Sequence, residues 1–135
     1  MAAKGHRMFR WLQRFSPQLL SLMRIAAGLT FVEHGTQKLF NFPVVKPPLT
    51  LVLLLFTGIL EMVGGALVTF GLMTRLFAFL LSGELAVGYW WLHAPRSPYP
   101  MANGGEAMVL YCFMFLYIAA VGAGPWSLDA RMKRA

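Results

Sequence analysis

Four glutamates, Glu33, Glu61, Glu84 and Glu106, lie one apiece in four apolar stretches of the chain, and Arg24 enters the first stretch near its start. A charged side chain in hydrocarbon costs roughly 2.5–3.5 kcal/mol on insertion scales, so such residues are paired or functional. Glu61 lies 13 residues before Thr74 and Glu84 lies 10 after it. If a tight turn falls at Thr74, a helical rise of about 1.5 Å per residue sets the two carboxyls within roughly 4–5 Å of the same depth. Two carboxylates meeting in a dry interior do not both stay ionised cheaply. The spacing therefore predicts an Arg24–Glu61–Glu84 cluster that holds at least one proton and handles protons or substrate. The plainer reading keeps the same residues as a buried hydrogen-bonded network that only ties helices together.

A second polar group, His34, Lys38, His93 and Glu106, with Arg96 and Asn103 nearby, falls at the opposite ends of the stretches. It is read as the mouth of a cavity. For Glu106 the run Asn103-Gly104-Gly105-Glu106 offers a plainer role, a capping arrangement with Asn103 as N-cap. His34 and His93 could ligate haem only with support that the sequence does not supply. No metal-ligand motif, phosphate loop or nucleophile triad is evident. Cys112 is the single cysteine and cannot close an internal disulfide. No intrinsic cofactor or metal is expected.

The stretches that carry these residues are long. The chain has 135 residues, 58% of them hydrophobic, and only 13% are charged, where a soluble domain carries about 25%. A net charge of +7 would suit nucleic acid, yet eight of the seventeen charges sit in the tails, at Lys4, Arg7, Arg10, Arg14, Asp129, Arg131, Lys133 and Arg134. That distribution points to a bilayer and away from nucleic acid. Crossing hydrocarbon takes about 20 apolar residues, and four spans are expected: 18–40, 49–72, 76–93 and 106–123. The fold class is therefore all-α, a four-transmembrane-helix bundle. Basic residues set the orientation: seven in the tails plus Arg75 on one side against Lys38, Lys46 and Arg96 on the other place both termini in the cytoplasm. Arg24 interrupts the first apolar run, so cleavage as a signal peptide is not expected.

Three segments follow: residues 1–17, basic and amphipathic; 18–125, the bundle; and 126–135, a basic cytoplasmic tail. Within 7–15, Arg7, Arg10 and Arg14 share one helical stripe opposite Met8, Trp11, Leu12 and Phe15, suited to an anionic leaflet. In the first span Arg24, Gly28, Phe31, Gly35 and Lys38 recur at intervals of 4, 3, 4 and 3, the period of a packed face. Glu33 falls on the opposite side with Gln37, facing a further neighbour, another subunit or the headgroups.

The motif Arg24-x3-Gly28-x6-Gly35-x2-Lys38, then Glu61-x2-Gly64-Gly65-x5-Gly71-x2-Thr74-Arg75, resembles the DoxX family of small bacterial integral membrane proteins. Asn103-Gly104-Gly105-Glu106, Tyr111 and Gly122-x-Gly124-Pro125-Trp126-Ser127-Leu128-Asp129 extend the resemblance from Leu19 to Asp129. It implies a four-helix bundle in the bacterial inner membrane. It further implies association with oxidoreductase assemblies, some of them linked to quinol or thiosulfate chemistry, although distant relatives of the fold act as chaperones or cargo receptors.

Three functions compete. In the first, the chain is the membrane subunit of an oxidoreductase, with quinone as the cofactor class and protons relayed by the cluster; Tyr89, Trp90 and Trp91 would flank it or form an interfacial belt. In the second, it is a non-catalytic scaffold or chaperone-like anchor for partner proteins. In the third, it is a proton-coupled carrier, which would require a homo-oligomer to supply enough helices.

Overall fold

The structure is a computed structural model and describes residues 9–44 and 49–133. Among the described residues every regular element is helical: α1 (Arg10–Gln13), α2 (Ser16–Phe40), α3 (Leu51–Phe70), α4 (Thr74–Gly88), α5 (Pro100–Asn103), α6 (Glu106–Val121) and α7 (Leu128–Met132). A π-helical turn, Tyr89–His93, prolongs α4 and closes with Ala94 N–H donating to the Tyr89 carbonyl at 2.9 Å. The four expected spans match α2, α3, α4 with its π turn, and α6 to within two residues at every boundary. Of these, α3 alone is long and apolar enough by itself to cross a membrane, and α6 is a shorter apolar helix. Arg7 and Met8 of the expected N-terminal amphipathic helix lie outside the described residues, as do Lys4, Lys46 and Arg134. The rest of that segment forms the single turn α1, with Trp11 and Phe15 exposed.

The breakers act as the sequence suggests. Pro17 sits in the first turn of α2, where a missing N–H costs nothing. Gly71 ends α3 in the left-handed region at φ 71°. Leu72 N–H there reaches back to the Leu67 carbonyl at 2.9 Å, and Gly71 N–H to Val68 at 3.1 Å, the paired bonds that close a helix on glycine.

The helices pack as two close pairs, α2 with α3 and α4 with α6. Glycine sets the first contact. A methyl group on Gly28 would stand 2.8 Å from the Gly65 carbonyl and 2.7 Å from Thr69 N, and one on Gly65 would meet the Gly28 carbonyl at 2.8 Å. Backbone therefore lies on backbone, an approach that only small residues permit. Aromatic rings join the two pairs: Phe31 meets Phe115 edge-on at 4.7 Å and Tyr111 at 5.4 Å. Phe31, Val68, Leu81, Phe115 and Ile118 form the centre of the core.

One end of the bundle is sealed by charged side chains spent on backbone. Arg24 is fully buried. Its guanidinium donates to the carbonyls of Ala123 (2.7 Å), Val68 (2.5 Å), Trp126 (2.5 Å) and Thr69. Val68 and Thr69 are among the last carbonyls of α3, which have no partner within the helix. Arg75 does the same for α6, donating to Ala119 at 3.1 Å, Ala120 at 2.5 Å and Val121 at 3.3 Å. Asp129 serves the opposite polarity: its carboxylate accepts from Met73 N–H and Thr74 N–H, both at 3.0 Å, at the start of α4. Partial burial pushes the Asp129 carboxyl up, but hydrogen bonds from Thr74 and Met73 and the Lys133 charge outweigh it and hold the group below its ordinary value. The segment after α6 is thereby bound back onto the bundle.

Candidate functional site

The Lys38 ammonium lies where three helices converge. It is 2.8 Å from Glu61 Oε2 and 4.0 Å from Glu84 Oε1, and it donates to Thr57 Oγ1 at 3.1 Å. Thr57 in turn donates to the Leu53 carbonyl at 2.7 Å, which fixes its hydroxyl to accept from the ammonium. The side chains of Lys38, Glu61 and Glu84 are only 13%, 7% and 13% exposed. Glu84 Oε2 is buried with no hydrogen-bond partner. One ammonium faces two carboxyl groups.

Chain geometry explains the meeting. Lys38 belongs to the last turn of α2, and its four-carbon stem runs back along α3 towards Glu61. Glu61 is nine residues before the end of α3 and Glu84 ten after the start of α4, about 14 and 15 Å from the turn that joins these helices. Equal depth on consecutive antiparallel helices brings the two carboxyls to one level.

The ionic trio forms the floor of a cavity of about 530 Å³ between α3 and α4, closed at the back by Met108 of α6. Its walls are Leu53, Leu60, Leu80 and Leu85, with Phe56, Phe79 and Trp91 at the exposed rim. An apolar slot with convergent polar groups at its base is the usual form of a small-molecule site.

Two expectations are corrected. Arg24 does not join Glu61 and Glu84. It lies 14 residues before Lys38 on the same helix, about 21 Å along the axis, and its donors are taken by four carbonyls. Lys38 supplies the cation in its place. Nor do His34, Lys38, His93 and Glu106 gather at one cavity mouth. Lys38 turns inward. His34 is exposed beside the Phe31 ring at 5.5 Å. His93 Nδ1 pairs with the Asn103 carbonyl at 2.9 Å. Glu106 is exposed as the first residue of α6, whose N-cap is Gly105 and not Asn103. Gly104, at φ 73°, forces a separate turn in which Asn103 Oδ1 accepts from Gly105 N–H at 2.8 Å. Asn103 also donates to the Ser97 carbonyl at 2.9 Å and to the Tyr89 hydroxyl at 3.2 Å, fastening the long loop to the π turn. The half-buried Thr57–Lys38 bond was missed, although Thr57 shares a face with Glu61 one turn on. Among the described residues no group of His, Cys, Asp or Glu is arranged to hold a metal.

An all-helical chain with large apolar side chains on its outer surface and an ion-paired site between apolar walls belongs to the class of membrane proteins. The sequence profile of DoxX matches residues 19–94, which include Arg24, Lys38, Glu61 and Glu84. An "Uncharacterized protein" of Haemophilus influenzae (strain ATCC 51907 / DSM 11121 / KW20 / Rd) is 39% identical, over 87% of this chain and 93% of its own. The chain belongs to the DoxX family. No solved structure matches it.

Proposed function

We propose that this chain is a four-span subunit of the bacterial inner membrane, with both termini in the cytoplasm, that binds a quinone in the lateral cavity and serves an oxidoreductase assembly. The observation that carries this reading is the cavity itself: apolar walls with exposed aromatic side chains at the rim, lined also by an ammonium, a hydroxyl and two carboxyl groups. A quinone would supply two-electron, two-proton redox chemistry when bound, with electrons passed to or from a partner protein. The residues present fit such a ligand. The walls suit a ring and an isoprenoid tail, and the Lys38 ammonium suits a carbonyl oxygen. Lys38 orients the ligand by donating, while Glu61 keeps that ammonium charged and in place. Glu84, whose Oε2 has no other partner, takes up or releases the proton at the floor. The leucine walls exclude water, which strengthens each of these interactions.

The test is solvent extraction of the chain purified from native membranes into lipid nanodiscs, with quinone measured by mass spectrometry. The expected result is a near-stoichiometric quinone that falls at least tenfold in Lys38→Ala. Equal, trace quinone in both proteins refutes the reading. The scaffold alternative draws on a different observation, that Arg24, Arg75 and Asp129 all serve backbone ends rather than chemistry. It requires partner proteins that co-purify equally well with Glu61→Gln and Glu84→Gln.

A further inference from the structure

The core-facing side of α2 is accounted for, but its outward side carries a second regular pattern. Leu19, Leu22, Ala26, Leu29, Glu33 and Phe40 are all exposed, and their intervals of 3, 4, 3, 4 and 7 are those of a heptad seam. Thr36 occupies the omitted position, its hydroxyl turned onto the Glu33 carbonyl at 2.9 Å. Among the described residues neither an ion pair nor a hydrogen bond engages the Glu33 carboxylate. Glu33 lies five residues from the middle of the 25-residue helix, which puts it about 7 Å inside the edge of a hydrocarbon layer about 30 Å thick. A carboxylate there, facing acyl chains, is a group without a counterpart.

We propose that a second copy of this chain covers this face, in a parallel two-fold pair along α2. This rests on the membrane-spanning part of the reading above and not on the quinone. The face is complementary to itself. In a two-fold pair the same depth meets the same depth, so Leu19, Leu22 and Leu29 meet their own kind and the Glu33 carboxyl meets that of the second copy across the axis. Ala26, the smallest residue of the seam, marks the closest approach. Gln37 stands one turn beyond Glu33 and 40° around the helix. Its amide in one copy donates to the Glu33 carboxylate of the other, twice by symmetry. A single polar layer in an apolar seam fixes register and partner number, the role such layers play in coiled coils.

The experiment uses the full chain in membranes of the expressing cell, with Cys112→Ser removing the native thiol. Single cysteines are placed at Leu22→Cys and Ala26→Cys on the face, and at Phe113→Cys on the exposed side of α6 as control. Oxidation is expected to give a dimer-sized product at the first two sites and none at the third. Glu33→Leu with Gln37→Leu should lower it at least tenfold; both changes suit a lipid-facing helix, so that variant inserts and folds if α2 spans. A product of equal yield at Phe113→Cys, one unaffected by the leucine pair, or one of another mass overturns the proposal. Carbonate extraction at high pH separates the two levels. Protein that stays in the membrane without forming the product refutes the dimer alone, whereas protein released from the membrane refutes the spans beneath it.

Discussion

The Lys38 ammonium contacts Glu61 Oε2 at 2.8 Å, yet the two residues reach this contact from opposite directions. Lys38 comes down from the end of α2 and Glu61 comes sideways from the middle of α3. Close approach of the helices runs through glycines, Gly28 on Gly65 below the contact and Gly35 on the Met62 backbone and Gly58 on Lys38 Cβ beside it, so a stem of four carbons suffices to span the gap. Site and packing are one feature in this protein.

Removing the cation should therefore be worse than removing the trio. Lys38→Met leaves two carboxylates facing each other in an apolar slot, and breaking a buried pair from one side costs about 3–5 kcal/mol. Lys38→Met combined with Glu61→Gln and Glu84→Gln should recover most of that loss. Unfolding in detergent, followed by circular dichroism across the three variants, checks the order: triple variant close to wild type, single variant far below.

Arg24 gives the opposite expectation, because no isostere replaces it. Its planar fork reaches four carbonyls on three sides, and a lysine ammonium at the same place cannot span them. Arg24→Lys should lose about 2–4 kcal/mol, from carbonyls left without donors in the interior. Arg24→Ala should not accumulate as folded protein. The quinone content of whatever Arg24→Lys folds should match wild type, which distinguishes a structural residue from a site residue.

Sequence patterning located all four long helices and their stops, because the proline and glycine breakers act locally and the spans depend on length alone. It also matched Glu61 with Glu84, since depth in antiparallel neighbours follows from counting residues back from their turn. It failed where side-chain reach decides. Arg24 and Lys38 lie on the same packed face of α2, and nothing in their spacing says which one turns towards the glutamates. The deciding fact is that the end of α3 and the segment after α6 both lie beside Arg24 and present it with the carbonyls of Val68, Thr69, Ala123 and Trp126, a relationship between positions far apart in sequence. The capping role of Asn103 failed at a single left-handed glycine, Gly104, which moves the N-cap of α6 from Asn103 to Gly105.

Gly28 offers a direct check on the coupling between packing and site. Gly28→Leu places a side chain where even a methyl group would meet the Gly65 carbonyl at 2.8 Å, so α2 must shift away from α3. Lys38 would then lose Glu61 and Thr57 without being altered itself. Quinone content should fall at least tenfold, as in Lys38→Ala, although the substitution is remote from the cavity. Gly64→Ala is the control, since it does not line the cavity and a methyl group there meets only the Phe77 and Leu81 side chains at 3.4–3.5 Å, and it should leave quinone unchanged.

Acid should loosen the bundle first at the end sealed by Asp129. Its carboxyl is held below the ordinary value in the folded chain, chiefly by the Thr74 and Met73 bonds that overcome partial burial. A group depressed on folding contributes stability that is fully present above the unfolded value, about pH 4, and is lost as pH falls through the folded one. Exchange of the Met73 and Thr74 amides should therefore accelerate only below that range, while amides in the middle of α3 and α4 stay protected. Asp129→Asn abolishes the titration: its amides should exchange faster at neutral pH, by a factor corresponding to about 1 kcal/mol for a lost cap, and should show no further acid step. Amide exchange read by mass spectrometry from neutral pH down to pH 3 tests both parts. An acid step that persists unchanged in Asp129→Asn would assign the sensitivity to another group.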